Sequence, residues 1–229
     1  MKPVKITERN IMFTEPMNAD YDLNMGLILG NKHNFVIDTG LGSGSVAPVF
    51  EYIENAGAGE KPSIVINTHC HWDHIWGNCA FENGIIIAHT LCRTLEDKHW
   101  DDALREFEQR INGEARKCIP NLTFEGELHF QDDGVTIFHS PGHTADCISV
   151  YHAPDRILYA GDNIGDTADE PVPFIETDFE TFSRLIEIYE KYPFDTCISG
   201  HNKPQRREIL AKMKAELKES WARQLKSAP

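Results

Sequence analysis

Three histidines and an aspartate stand within six residues in the run Thr68-His69-Cys70-His71-Trp72-Asp73-His74. Neutral imidazole and carboxylate suit zinc, iron and related divalent ions, and a short loop leaves such ligands little freedom. Three further junctions each offer one more ligand: His143 in Ser140-Pro141-Gly142-His143-Thr144, Asp162 in Ala160-Gly161-Asp162-Asn163, and His201 in Ser199-Gly200-His201-Asn202. A glycine in each junction permits a tight turn or a close backbone approach. Seven ligands are too many for one tetrahedral ion, whereas two neighbouring ions can share a bridging carboxylate and a bridging water. Such a water ionises near neutrality and attacks a carbonyl or phosphoryl centre, so hydrolysis is the expected chemistry.

Apolar strands must hold these loops. Ile64-Val65-Ile66 leads into the histidine cluster, residues 135–138 lead to His143, 157–159 to Asp162 and 197–199 to His201. Ligands in α/β folds gather at the carboxyl ends of strands. Upstream, residues 27–29 and 34–37 read as a strand pair about Gly30-Asn31-Lys32, followed by a Gly-rich loop at 40–44 and a helix over 46–55. That loop lacks the Lys-Ser/Thr ending of a phosphate-binding P-loop and reads as a flexible rim to the metal cleft. A short helix over 73–79 and a strand over 85–88 come next. Leu91, Leu95, Leu104, Phe107 and Ile111 recur at near-helical intervals and predict one or two helices within 90–116. The second half predicts strands over 128–130, 135–139, 148–151, 157–160 and 197–199, with a helix over 179–189. A final helix over 205–225 carries Ile209, Leu210, Met213, Leu217, Trp221 and Leu225 on one face. An α/β (α+β) chain of this kind buries both strand sets only as two sheets flanked by helices.

The order His-x-His-x-Asp-His, lone His, Asp, lone His resembles the metallo-β-lactamase superfamily over about residues 20–204. The resemblance implies the four-layer αββα sandwich of two mixed sheets, with the metal site at one edge of the sheets. It assigns His69, His71 and His143 to a first metal, Asp73, His74 and His201 to a second, and makes Asp162 the bridge. Asp38, in Val36-Ile37-Asp38-Thr39-Gly40, matches the family's early aspartate that supports the ligands; alone, it would read as turn chemistry. Catalysis would then depend on Asp73 as a ligand and Asp38 as a support. Two divalent ions are implied, zinc first, with iron or manganese as alternatives. Asp162 stands where dinuclear β-lactamases carry Cys, which argues against antibiotic hydrolysis. The motifs look most like glyoxalase II and acyl-lactone hydrolases, yet only about 28 residues follow His201, so the glutathione-binding extension of glyoxalase II cannot be traced. The expected activity is hydrolysis of a small thioester, lactone or ester. The alternative is a mononuclear iron oxidoreductase like the persulfide dioxygenases, on residues matching His69, His143 and Asp162; Asn163-Ile164-Gly165-Asp166 lacks their Gly-Cys-Gly-Arg stretch. A third alternative is an idle ligand-binding protein.

The chain of 229 residues, net charge -14, reads as a single domain over 1–229. Its acidity disfavours nucleic acid, no apolar run approaches a membrane span, and Met1-Lys2-Pro3-Val4-Lys5-Ile6-Thr7 lacks a signal-peptide core, so a cytoplasmic protein acting on a small molecule is expected. A homo-oligomer is compatible with the sequence but not readable from it. The six cysteines are spaced as free thiols, with Cys70 expected to point away from the face of His69 and His71. His33, His89, His99, His129, His139 and His152 are expected to pack rather than ligate, His139 lying nearest the site. Residues 90–122, with Trp100, Arg105 and Phe107, are candidates to cap the cleft. Residues 163–177, with Pro171, Pro173 and Phe174, are candidates for its opposite wall; ordinary loop packing is the alternative for both. Trp72 and Trp76 are expected to pack the ligand loop.

Overall fold

The computed structural model describes residues 2–17, 22–167 and 171–227, with side chains as far as residue 219. Seven strands build the first sheet in chain order: β1 (Lys2–Lys5), β2 (Asn10–Pro16), β3 (Asp22–Leu29), β4 (Asn34–Ile37), β5 (Ser63–Ile66), β6 (Ile85–His89) and β7 (Leu122–Phe124). The first four pair antiparallel, and β4 to β7 pair parallel. The parallel connections run through α1 (Ser43–Asn55), α2 (Trp72–Ile75) with a 3-10 turn, and α3 (Thr90–Phe107). The second sheet has the order β13-β12-β11-β10-β9-β8, from β8 (Glu127–Phe130), β9 (Val135–His139), β10 (Ile148–His152), β11 (Ile157–Gly161), β12 (Thr196–Ser199) and β13 (Gln205–Arg206). Only β11 and β12 pair parallel there, joined through α4 (Phe179–Glu190); α5 (Ile209–Ser227) closes the chain.

Period-two alternation divides each strand between two layers. Phe35, Ile37, Ile64, Ile66 and Ile87 meet Ile137, Ile148, Val150, Ile157 and Tyr159 between the sheets. The intervening Val36, Val65 and Ile86 turn outward onto Val46, Val49 and Ile53 of α1. On the other side Phe138, Leu158 and Ala160 face Phe182, Leu185, Ile186 and Tyr189 of α4 and Ile209, Leu210 and Met213 of α5. Each large apolar side chain buried this way contributes about 1.5–3 kcal/mol. Asp178 caps α4, accepting from the Thr181 amide at 2.8 Å. The expected αββα sandwich is the fold found.

Several expectations need correction. β1 and β2 form an N-terminal hairpin that the apolar pattern does not announce, because β1 is an edge strand of Lys, Pro, Val and Lys exposed along its whole length. The three residues of β7 are likewise too few to show a period. The final helix starts at Ile209, since Gln205 and Arg206 pair with Cys197 and Thr196 as a further strand. Trp221 and Leu225 lie beyond the described side chains. In α3 the buried stripe is Cys92, Glu96 and Trp100 rather than Leu91 and Leu95, because that face meets Ile75 and Trp76.

That stripe buries a carboxyl. Glu96 is 1% exposed with neither oxygen partnered, and the Trp76 indole Nε1 beside it is also unpartnered. Both line a cavity of about 20 Å³, walled by Trp72, Ile75 and Trp100, enough for one water of the kind that satisfies such groups. Burial pushes the Glu96 carboxyl up to about 8, against the pull of Lys117 and Arg93. The folded chain therefore holds a proton that the unfolded chain loses above its ordinary range. Stability present at acid pH is lost as pH rises through about 8. Glu96→Gln is expected to remove that slope, matching the parent in thermal denaturation near pH 5 and exceeding it at pH 9. Parallel curves for the two proteins would contradict a buried neutral Glu96.

Candidate metal centre

Each ligand leaves a strand at the same edge of the sandwich. His69 and His71 follow β5, Asp73 and His74 lie in α2, His143 follows β9, Asp162 follows β11 and His201 follows β12. Their ligating atoms gather in two groups, His69, His71, His143 and Asp162 in one, Asp73, His74 and His201 in the other. Asp162, 6% exposed, reaches both: Oδ1 lies 3.3 Å from His74 Nε2, while Oδ2 lies 3.2 Å from His201 Nε2 and 3.6 Å from His69 Nε2. Asp73 Oδ2 lies 3.5 Å from His201 Nε2 and 3.9 Å from His74 Nε2. Glycine is required next to this carboxylate, since a Cβ at Gly200 would stand 2.0 Å from Asp162 Oδ1. Gly161, at φ +54, makes the turn out of β11 in the left-handed region that L side chains avoid.

The other nitrogen of four of the five histidines, His69, His74, His143 and His201, has a hydrogen-bond acceptor, which fixes their tautomers. His74 Nδ1 donates to Asp38 Oδ2 at 2.8 Å, His143 Nδ1 to the Phe174 carbonyl at 2.7 Å, and His201 Nδ1 to the Asp22 carbonyl at 2.8 Å. Thr68 Oγ1 spends its proton on Asp38 Oδ2, so at 3.1 Å it accepts from His69 Nδ1. His71 is turned the other way: its Nε2 faces Glu176 Oε1 at 3.2 Å, and its Nδ1 points inward. Five imidazole lone pairs thus converge.

The arrangement fits divalent cations. His71 Nδ1 and His143 Nε2 lie 3.1 Å apart, so two ring nitrogens from different loops converge on one point. His69 Nε2, His74 Nε2 and Asp162 Oδ1 are buried without a hydrogen-bond partner. The 3.3 Å approach of His74 to Asp162 is an opposition of charge-bearing atoms that lacks hydrogen-bond alignment. Burial and the neighbouring His74 hold His69 well below the ordinary imidazole range, and burial and His143 lower His71. Burial alone would also lower His74 and His201, but Asp162 and its fellow carboxylates raise both, His201 to about 9. Burial opposes ionisation of Asp162, yet His201, His74 and His69 hold it well below the carboxylate range. Positive charge is demanded at the centre, and a divalent ion meets that demand while leaving the imidazoles neutral.

Asp38 adopts φ 60, a strained setting for a non-glycine residue and one found where side-chain placement matters. Its carboxylate accepts from the Thr68 amide and hydroxyl, both at 2.7 Å, as well as from His74. Other supports carry no sequence signal. Asn163 Oδ1 accepts from the His143 amide at 2.8 Å while its Nδ2 donates to the Ser140 carbonyl. Asn67 and Asn78 exchange side-chain bonds behind the ligand loop. Glu176 meets His71 and also donates its amide to the His143 carbonyl at 2.8 Å. Asn163, Phe174 and Glu176, from the segment offered as a wall of the cleft, therefore border the centre. Residues 90–110 instead back the ligand loop, with Trp72 stacked on Phe107 at 4.6 Å.

All six cysteines are free. Burial and the adjacent Asp146 carboxylate raise the Cys70 thiol, which turns to Asp146 rather than to the ligands. Among the described residues the remaining histidines join neither group; His139 stacks on His89 at 3.9 Å. No helix of the described residues is long and apolar enough to cross a membrane.

A model of the metallo-β-lactamase superfamily matches residues 21–206. The chain belongs to that superfamily and is a metal-dependent hydrolase. It is 25% identical over 201 residues to acyl-coenzyme A thioesterase MBLAC2 of Gallus gallus, covering 78% of this chain and 72% of that one. A probable metallo-hydrolase of Methanocaldococcus jannaschii is 31% identical over 148 residues, covering 63% and 68%. The fold matches a metallo-β-lactamase from Hirschia baltica with TM-score 0.72 and 22% identity, over 94% of this chain and 96% of that one.

Proposed function

We propose that this chain is a dinuclear hydrolase of small thioester, lactone or ester substrates. The observation that carries the proposal is Asp162, whose two oxygens face ligands of both groups at 3.2–3.6 Å. When bound, two divalent ions, zinc first and iron or manganese as alternatives, supply a water ionised near neutrality and polarise the substrate carbonyl. The chain's own residues prepare that chemistry. His69, His71 and His143 aim ring nitrogens at one position, and Asp73, His74 and His201 aim a carboxylate oxygen and two ring nitrogens at the other, while Asp38 and Thr68 hold His74 and His69 in orientation. Thioesters head the substrate class because a thiolate leaves with little need of protonation, so no dedicated general acid is required. The thioesterase name of one relative points the same way.

Metal content of protein purified without added metal, followed by assays on a thioester and lactone panel, tests the proposal. Two ions per chain with hydrolysis are expected, and His71→Ala and Asp73→Ala should each abolish turnover. A single iron with oxygen consumption on a persulfide would overturn it. So would full activity in either variant.

A further inference from the structure

Phe174 presents its ring to solvent. It is 78% exposed, whereas the other exposed large apolar side chains among the described residues, Val4, Phe50, Ile85, Leu91 and Leu122, are at most 44% exposed. A single apolar residue on a surface is ordinary. What sets this one apart is where its backbone is held. The Phe174 carbonyl accepts from His143 Nδ1 at 2.7 Å, and two residues further on the Glu176 amide donates to the His143 carbonyl at 2.8 Å.

A carbonyl and an amide two residues apart that turn to the same neighbour follow the pattern of extended backbone. Side chains 174 and 176 then share one face, and side chain 175 takes the other. Ile175 packs onto the apolar cluster between the second sheet and α4, while Glu176 Oε1 reaches to 3.2 Å from His71 Nε2. Phe174 therefore stands on the face that looks onto the first ligand group, about 7 Å along the segment from Glu176.

The segment beneath the ring is tied at further points. Thr177 Oγ1 donates to the Gly142 carbonyl, Val172 packs on the same cluster as Ile175, and the Pro171 carbonyl accepts from the Gly165 amide at 3.2 Å. That backbone needs no ordering when a ligand arrives, which lowers the cost of binding. The ring itself joins none of the apolar clusters of the described residues, so an alkyl chain laid on it would remove apolar surface of both from water.

Resting on the hydrolytic function above, we propose that Phe174 determines specificity: its ring covers an apolar chain flanking the scissile carbonyl, so that substrates with chains long enough to reach it are preferred over acetyl-sized ones. The chain belongs to the acyl group or to the leaving thiol, and the two are separable by experiment.

The test uses two series on the metal-loaded protein: acetyl, butanoyl and hexanoyl thioesters of 2-mercaptoethanol, and acetyl thioesters of ethanethiol, butanethiol and hexanethiol. In the series whose varied end lies against Phe174, kcat/KM should rise about 10- to 30-fold from two carbons to six, the effect of four methylenes about half buried on one ring face. Phe174→Ala should shrink that rise to about threefold or less, and Phe174→Leu should keep most of it. Each ratio is taken within one protein, so a loss common to all substrates cancels. Calorimetric binding of the non-hydrolysable ethyl and hexyl thioethers of 2-mercaptoethanol should show the same preference, and the same loss of it in Phe174→Ala. Equal chain-length ratios in the parent and the alanine variant, in both series, overturn the inference while leaving hydrolysis standing. So does a dimer in sedimentation velocity that Phe174→Ala dissociates, since a second copy would then cover the ring. Should no thioester be hydrolysed, the hydrolytic proposal is what fails, and the thioether comparison still decides the role of Phe174.

Discussion

Asp162→Ala is expected to empty both metal positions together and to lower kcat/KM for thioester hydrolysis by about 10³-fold or more, the scale on which groups that stabilise transition-state charge are felt. Its oxygens lie between His69 of one group and His74 and His201 of the other. Without them, five converging imidazole lone pairs lose the anion that favours cation binding between the groups. Asp162→Asn keeps the shape, and therefore the clearance from Gly200, but removes the charge. Its metal content, measured by elemental analysis beside that of the alanine variant, separates the two contributions. An alanine variant that retains two ions and hydrolyses within tenfold of the parent would show that the two groups do not act as one centre.

Asp38→Ala should lower stability and activity together, for one reason. The carboxylate is 2% exposed and takes three hydrogen bonds, from the Thr68 amide, the Thr68 hydroxyl and His74 Nδ1. Its loss leaves buried donors unmet, at a cost of about 3 kcal/mol, which is roughly 6–12 °C in Tm for a chain of this size. It also frees the His74 tautomer and releases Thr68, so that His69 loses its fixed acceptor. Loss of such a supporting carboxylate costs about 10- to 100-fold in metal affinity or activity. Thermal denaturation and metal titration of the same samples check both parts. Unchanged metal affinity with a lowered Tm would assign Asp38 to folding alone.

The seven candidate ligands were legible because each follows an apolar strand and each is a residue type that seldom stands alone at a buried strand end. The sandwich was legible for the related reason that strands covered on both faces read as short continuous apolar runs, as in β5 and β11. Strands whose role is to end a sheet escape that logic: β1 is exposed throughout, and β13 has two residues. In α3 Leu104 and Phe107, with Ile111 just beyond it, do pack on Trp76 and Trp100, whereas Glu96 does not look like core until Ile75 and Trp76 are seen lining the same cavity. Glu176 was invisible for a different reason. It lies more than a hundred positions from His71 in the chain, and nothing local marks a glutamate as the neighbour of a particular ring nitrogen. Asn163 adjoins Asp162 in sequence, yet its work is done on the amide of His143.

The chain divides its two sheets cleanly, residues 2–124 forming one and 127–206 the other. Each ligand group draws on both: His69 and His71 meet His143 and Asp162, and Asp73 and His74 meet His201. Every ion held here would thus be a rivet between two separately built halves. Neither half alone carries a complete set for either position, so the apolar docking of the sheets must come first, and metal binding would report that it has occurred.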